Sequence, residues 1–345
     1  MTASSTPLVV QYLYVHDPEE GFYYPTARAG GSSAKVARRY LECALTQAAS
    51  LAYREVDCEL VLATNVTDRR RLGRVGADLI ERIEALGTRI VATEYAHRPK
   101  EGTAIYVSSR YVLDAILSST EGQPENRQIW LTDLDCVWAD PSLVFQSAPD
   151  PTEIGCIYIE YPPDWDTVGF EVHGRTRLGI GDLARAMGAG EQAPPWIGGE
   201  LLTGRPQPLR ELVATCERLD AQLDAEHKTL PNEEQILSLA GAVGAVHYRD
   251  LSRVARRMPT GTRSEAAPIE DPRSIGLWHL PAEKGLSLRR TAEQVRRGRT
   301  RRLRRDLADP ARTARRFNVD GTGQLRRLRD DGWIAAQRLR SIAPA

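Results

Sequence analysis

Closely spaced cysteines are missing from this 345-residue chain. Its five cysteines stand at 43, 58, 136, 156 and 216. An odd count with no near pair speaks against a disulfide scaffold or a cysteine-rich zinc site, and for a reducing compartment. No run of about 18 apolar residues occurs, so no membrane-spanning helix is expected. The opening stretch, MTASSTPLVVQYLYV, has no basic segment and no long apolar core; we expect no signal peptide and a cytoplasmic protein. Net charge is absent as well, since 46 basic residues balance 46 acidic ones. With 41% hydrophobic and 27% charged residues, collagen-like, mucin-like and wholly disordered classes are excluded. There is no internal repeat, zinc-finger spacing or helix-turn-helix pattern.

The zero net charge hides an asymmetry. Seventeen arginines and six acidic residues fall between Gly285 and Ala345, so the tail is strongly basic and the rest of the chain carries the matching acidic excess. Packing of the tail on the acidic body, or on that of a second subunit in a homo-oligomer, accounts for this most simply. A peripheral membrane contact is the second reading, and Trp333 and Ile334 read as an anchor for the chain end. The acidic body argues against nucleic acid as a partner. Arg, Ala and Gly outweigh Lys, as in the proteins of a bacterium with GC-rich DNA.

What the chain does have is alternation. Residues 8–15 are rich in Val, Leu and Tyr and have the length of a buried strand. Residues 35–53 read as a helix, with Val36, Tyr40, Cys43, Ala44 and Gln47 at helical spacing. A strand over 59–65, a helix over 73–86 ended by Gly87, and a strand over 88–93 repeat the pattern. A helix over 108–118 and strands over 128–131 and 154–161 continue it. Farther on, the spacing predicts a long helix over 207–226, a helix opened by Pro231 with Asn232 near its start, and a strand over 242–248. A polar loop over 259–272 and a short apolar edge strand over 275–280 precede helices crowded with Arg. Such alternation marks a parallel α/β sheet.

The sharpest local feature is Ile129-Trp130-Leu131-Thr132-Asp133-Leu134-Asp135-Cys136-Val137-Trp138. A buried strand runs into two carboxylates one residue apart, at the end where open α/β sheets place ligands. If the strand continues, both carboxylates point to one side; if it turns there, they can still converge. Such a pair attracts a hard divalent cation, Mg²⁺ or Mn²⁺; the plainer alternative is a solvated strand end. Far downstream, His279 follows an apolar run, and Lys284 and Gly285 follow within six positions. His279 could add a nitrogen ligand, or be an ordinary core or surface histidine. Lys284 could meet a phosphate as a point charge, with Gly285 admitting close backbone approach.

In their order these segments resemble the metal-dependent nucleotide-sugar glycosyltransferases of the A-type fold. Asp133-Leu134-Asp135 matches the position of that family's D-x-D motif. Residues 275–285 resemble the late His-x-x-x-x-Lys-Gly segment of retaining members related to galactosyl- and glucosyltransferases. The resemblance covers roughly 8–285. It implies an α/β fold with one Rossmann-like nucleotide-diphospho-sugar transferase domain there: a nucleotide-sugar-binding half over 8–140, an acceptor-side half over 150–285, and a basic helical extension over 286–345. It implies Mn²⁺ or Mg²⁺ on Asp133, Asp135 and His279, with Lys284 on the diphosphate and Asp133 also facing the donor ribose or sugar. Tyr12, Tyr14 and the Gly30-Gly31 region would hold the nucleoside, Thr64 and Asn65 would border it, and Arg110 would touch donor phosphate or sugar.

The implied reaction moves a hexosyl group from a nucleoside-diphosphate sugar to the hydroxyl of a small-molecule or glycoside acceptor, with retention; the alternative is inversion, which would need a general base. In a bacterium this suits cell-envelope, glycoside or natural-product biosynthesis. Glu200, in the Gly-rich stretch 198–204, read as a flexible, close-packed setting, is the first candidate for the acceptor side. Glu233 and Glu234 open a helix, where acidic residues also serve as caps; Glu234 is the second catalytic candidate. Residues 161–165 and 194–196 could be aromatic loops facing the acceptor, or packing corners. Two readings compete from other classes. One is a metal-dependent nucleotidyltransferase, for which residues 30–35 (GGSSAK) make a partial phosphate loop. The other is a nucleic-acid-binding protein acting through the tail.

Overall fold

The computed structural model describes residues 6–16, 33–66, 68–99, 107–159, 174–190, 194–258 and 271–319, with 166, 169, 171 and 260. The Gly30-Gly31 region, residues 161–165, most of the polar loop 259–272, and Trp333 with Ile334 lie outside the described residues. The first four strands are short apolar runs: β1 (Leu8–Leu13), β2 (Glu59–Thr64), β3 (Thr88–Ala92) and β4 (Ile129–Thr132). β5 (Cys136–Trp138), β6 (Ile154–Tyr158), β7 (Ile197–Gly204), β8 (Tyr248–Asp250), β9 (Ala255–Arg257) and β10 (Leu277–His279) follow. The main sheet has the order β3-β2-β1-β4-β7-β6-β8, and β5-β10-β9 form a second, small sheet.

Helices cover both faces of the main sheet. These are α1 (Ser33–Ala52), α2 (Gly73–Ala85), α3 (Tyr111–Thr120), α4 (Pro141–Gln146), α5 (Arg177–Ala186), α6 (Pro206–Ala225) and α7 (Glu233–Ala242). Alternate side chains of a strand face opposite ways, and the strands divide accordingly. Leu8, Val10, Val61, Ala63, Ile129 and Leu131 join the core beneath α3, α6 and α7. Leu13 and Leu62 join the core shared with α1 and α2. Three layers result, with buried strands sandwiched between helices.

Several expectations need correction. The main sheet is not all parallel, because β7 runs antiparallel to both β4 and β6. The Gly-rich stretch 198–204 is not flexible: it is the wholly buried strand β7. The predicted strand over 242–248 falls on the end of α7 and the turn after it, where Gly244 has a φ of 71° that ends the helix. Only Tyr248 of that stretch is in a strand. The predicted edge strand over 275–280 is the central strand of the small sheet, antiparallel to β5 and parallel to β9. The helix predicted over 108–118 opens as a tight 3-10 turn, Val107–Arg110, before α3 begins.

The Arg-rich region forms α8 (Ser287–Arg296), α9 (Thr300–Ala308) and α10 (Pro310–Arg316). Their apolar faces are not spare. Leu288, Ala292, Val295, Leu303, Leu307, Ala314 and Phe317 share one core with Leu41, Leu45, Leu79 and Ile83 of α1 and α2. The Thr46 hydroxyl, buried on α1, donates to the Leu288 carbonyl at 2.9 Å. Arg296 pairs with Asp78 of α2 at 2.9 Å. Phe317 is fully buried, so Phe317→Ala is expected to cost about 3–5 kcal/mol. Urea unfolding of the full chain checks this. A loss near zero would mean that these helices do not share the core of the sheet.

Candidate metal centre and active site

The main sheet hands over to the small one at the D-x-D. β4 ends at Thr132, whose hydroxyl accepts from Gln47 Nε2 at 2.7 Å. The chain then turns, with the Cys136 amide donating to the Asp133 carbonyl at 3.3 Å. Leu134, at the middle of the turn, is buried in the core. Its burial leaves the flanking Asp133 and Asp135 to the site. β5 departs at once into the small sheet, where Cys136 stands opposite His279 of β10. The Leu280 amide donates to the Asp135 carbonyl at 2.9 Å. This strand pairing brings His279 to the carboxylates across 144 positions of sequence.

One ligand atom each from Asp133, Asp135 and His279 lies within 4.8 Å of the others. His279 Nε2 is 3.1 Å from Asp135 Oδ2 and 3.7 Å from Asp133 Oδ2. Neighbouring ligands of an octahedral ion bound at about 2.1 Å stand roughly 3 Å apart, so modest tightening completes such a set. Asp133 keeps 34% of its side-chain surface exposed while Asp135 keeps 2%, so Asp133 is the carboxylate at the mouth. Tyr12, near the end of β1, donates its hydroxyl to Asp133 Oδ1 at 2.7 Å and also lies 3.2 Å from the Gly199 carbonyl. Lys284 Nζ pairs with Asp135 Oδ2 at 3.1 Å.

β7 supplies the floor. The Asp133 amide donates to the Glu200 carbonyl at 3.1 Å, and Glu200 Oε1 meets His279 Nδ1 at 3.1 Å. The same oxygen is paired with Arg257 of β9. Arg257 also reaches Glu234 Oε1 at 3.4 Å, and Trp196 Nε1 donates to Glu234 Oε2 at 2.9 Å. The two glycines before Glu200 are there for close approach rather than mobility. A Cβ on Gly198 would fall on Glu200 Oε2, and one on Gly199 would stand 2.6 Å from Glu233 Oε1.

Charge is unevenly matched here. Asp133, Asp135, Glu200, Glu233 and Glu234 are five carboxylates, and Lys284, His279 and Arg257 are three cations. Burial disfavours charge on Asp135 and Glu200, but Lys284 and His279 hold Asp135, and Arg257 and His279 hold Glu200, well below the usual carboxylate range. The remaining carboxyls carry the strain. Burial and the Asp135 charge push Asp133 up to about 6. Burial raises Glu234 to about 7, only partly offset by Arg257. Burial and the Glu234 charge push Glu233 well above the carboxylate range. Burial works against a proton on His279, yet Asp135 and Glu200 outweigh it and raise its pKa to about 9. Glu200 Oε2 and Glu233 Oε2 are buried without a hydrogen-bond partner among the described residues. A negative excess with two orphaned carboxylate oxygens, beside two oxygen donors and an imidazole, suits a hard divalent cation such as Mn²⁺ or Mg²⁺.

Of the residues singled out from sequence, Tyr12, Asp133, Asp135, Glu200, His279 and Lys284 come together directly, and Glu234 joins through Arg257. Arg110 does not. Its buried guanidinium is committed to Asp220 of α6 and to the Leu230 carbonyl, at 3.2 Å for the latter. The Asn65 amide is spent tying the end of β2 to Val15, accepting from its amide at 2.8 Å and donating to its carbonyl at 2.9 Å. Thr64 is buried, and its hydroxyl accepts from the Val66 amide at 3.3 Å. Tyr14 packs with Tyr95 and Tyr111, ring centroids 4.8 and 5.4 Å away. Arg257 was not anticipated. It lies opposite His279 in the β9–β10 pairing, a partnership that no local pattern announces.

The mixed sheet, the acidic turn at the strand ends and the small second sheet are together the A-type glycosyltransferase fold. Among solved structures, the galactosyltransferase LgtC in complex with donor and acceptor sugar analogs is similar over 84% of this chain and 95% of its own, at 12% identity and a TM-score of 0.50. The apo form of mouse xyloside xylosyltransferase 1 is similar over 81% of this chain and 99% of its own, at 8% identity and a TM-score of 0.46. The WbbM bifunctional glycosyltransferase is similar over 81% of this chain and 46% of its own, at 9% identity and a TM-score of 0.49. No protein-family model matches the sequence, and no curated protein matches it.

The charge imbalance can be tested without any ligand. The Glu234 pKa is raised in the folded protein, so its contribution to stability is present below the unfolded carboxylate pKa and is lost as pH rises through about 7. Glu234→Gln keeps an acceptor for Trp196 and removes the buried charge. It is expected to stabilise the protein in EDTA by on the order of 1–2 kcal/mol at pH 8, with the gain vanishing near pH 4.5. Chemical unfolding at the two pH values reads the difference. Equal destabilisation at both would show that Glu234 is a net stabilising partner of Arg257.

Proposed function

We propose that this chain is a glycosyltransferase that moves a hexosyl group from a nucleoside-diphosphate sugar to an acceptor hydroxyl, with retention. The observation that carries the reading is the convergence of Asp133, Asp135 and His279 beside Lys284, at the strand ends where open α/β sheets bind ligands. The A-type fold agrees with it, and the similar LgtC structure holds donor and acceptor sugar analogs. Asp133, Asp135 and His279 would hold Mn²⁺ or Mg²⁺, which when bound offsets charge on the diphosphate leaving group.

The chain's own groups divide the remaining work. Lys284, already on Asp135, turns to a phosphate oxygen that gains charge as the anomeric bond breaks. Tyr12 holds Asp133 in place from the neighbouring strand. Glu200 is a poor proton acceptor, because Arg257 and His279 stabilise its charge. It serves to hold His279 and Arg257 in position on the floor of the site. Burial and the Glu234 charge raise the Glu233 pKa, which favours its protonated, hydrogen-bond-donating form. We propose the retaining course: the anomeric carbon–oxygen bond to phosphate breaks, the bond to the acceptor oxygen forms on the same face, and the hydroxyl proton passes to the departing phosphate.

Calorimetric titration of the full chain with UDP-, GDP- and TDP-sugars, in Mn²⁺ and then in EDTA, tests this. One donor should bind only with metal, at least about tenfold more weakly in Asp135→Asn and His279→Ala. The product's anomeric configuration, read by NMR, should match that of the donor. Preference for plain nucleoside triphosphates would point instead to nucleotidyl transfer, and an inverted product would remove the retaining mechanism.

A further inference from the structure

A second charged site lies away from the carboxylate cluster, among the C-terminal helices. Their apolar faces are spent on the core with α1 and α2. Their basic faces surround an open cavity of about 470 Å³, lined by Arg290 of α8, Arg302 and Arg305 of α9, and Arg312, Arg315 and Arg316 of α10. Asp306 is the one carboxylate among the described residues of its wall. It is already divided between Arg302 at 3.7 Å and Arg316 at 3.4 Å. Arg312 leans on Asp309 at 3.5 Å. The guanidinium groups of Arg305 and Arg315, both exposed residues, make no hydrogen bond or close ion pair among the described residues. Among the described residues the wall thus carries six guanidinium groups and one shared carboxylate, a strongly positive lining.

The cavity is also built, not merely charged. Arg316 is held in place by Thr291, to whose hydroxyl it donates at 2.9 Å, and by Gln294. Guanidinium forks match the paired oxygens of a phosphate, and bidentate pairs of this kind are the strong ones. The volume falls within the range of small-ligand sites, roughly 300–1,000 Å³. A concave wall admits a compact headgroup, whereas a nucleic-acid backbone asks for a groove that tracks it.

We propose that this cavity binds a multiply charged phosphoester, with Arg305 and Arg315 meeting its oxygens and Arg316 pre-positioned beside them. The phosphate can be that of a free metabolite or of a lipid headgroup, since the recognition chemistry is the same. The test uses the full chain in EDTA, with inorganic pyrophosphate as the first probe and vesicles containing phosphatidic acid, against pure phosphatidylcholine, as the second. Wild type should bind pyrophosphate or the anionic vesicles. The Arg305→Gln/Arg315→Gln double variant should weaken that binding at least tenfold with its melting temperature unchanged, while Lys284→Ala leaves it intact. Binding to pyrophosphate alone assigns a free phosphate, and binding to the vesicles assigns a headgroup. Binding lost in Lys284→Ala and kept in the double variant would overturn the proposal by placing the anion at the carboxylate cluster. So would no binding of either probe by the wild type. A charge-reversed Arg315→Glu variant should abolish binding, and retention by that variant would equally sink the idea.

Discussion

His279 stands between Asp135 and Glu200, one ring nitrogen 3.1 Å from each. With no metal bound, Asp135 and Glu200 raise its pKa to about 9, and the ring gives up its Nε2 proton when it ligates an ion. That one side chain joins the turn after β4, the floor strand β7 and the small sheet. Without its charge, Asp135 would rely on Lys284 and Glu200 on Arg257, each a buried carboxylate with one cation fewer. Buried carboxylates are tolerated only when paired and hydrogen-bonded. The surrounding strand pairings are what keep His279 there: the register of β10 against β5 and the Leu280 amide on Asp135 leave the ring no other place.

The parts of this arrangement that were legible in the sequence are those in which residue type and local context coincide. An apolar strand running into Asp133-Leu134-Asp135 carries its meaning within ten residues. His279 and Lys284 do not: they stand out by resemblance to a family segment, and their place beside Asp135 depends on the pairing of β10 with β5. The alternation of strands and helices through residue 131 is local, because buried strands and amphipathic helices have different periods. Direction within a sheet is not local. β7 could be recognised as Gly-rich, but nothing in those residues states that it runs against its neighbours or that its glycines make room for Glu200 and Glu233. Arg257 is invisible for the same reason: its meaning lies in a pairing with β10 made 22 positions later. Arg110 misleads in the opposite way. Behind two serines it looks like a phosphate contact, yet its partner is Asp220, 110 positions away on another helix.

The basic extension shows how a charge asymmetry visible in composition is divided in space. Part of it is absorbed by the body, through Arg296 on Asp78 and through Arg304 over the ring of Tyr53 at 5.0 Å. Part is absorbed within the extension itself, through Glu293, Asp306 and Asp309. Six guanidinium groups of the extension line one cavity. The leucines and Phe317 fix the rotation of each helix, so the hydrophobic core determines where the guanidinium groups gather.

The antiparallel course of β7 has one more consequence. β6 runs with β4, so it leaves the sheet at the edge that carries the acidic turn, and β7 returns from that same edge. The 38 residues between Tyr158 and Ile197 are therefore tethered at both ends on one side of the sheet. Their two ends are fixed, the Ile159 amide donating to the Trp196 carbonyl at 2.9 Å, so the whole excursion starts and finishes beside the acidic turn.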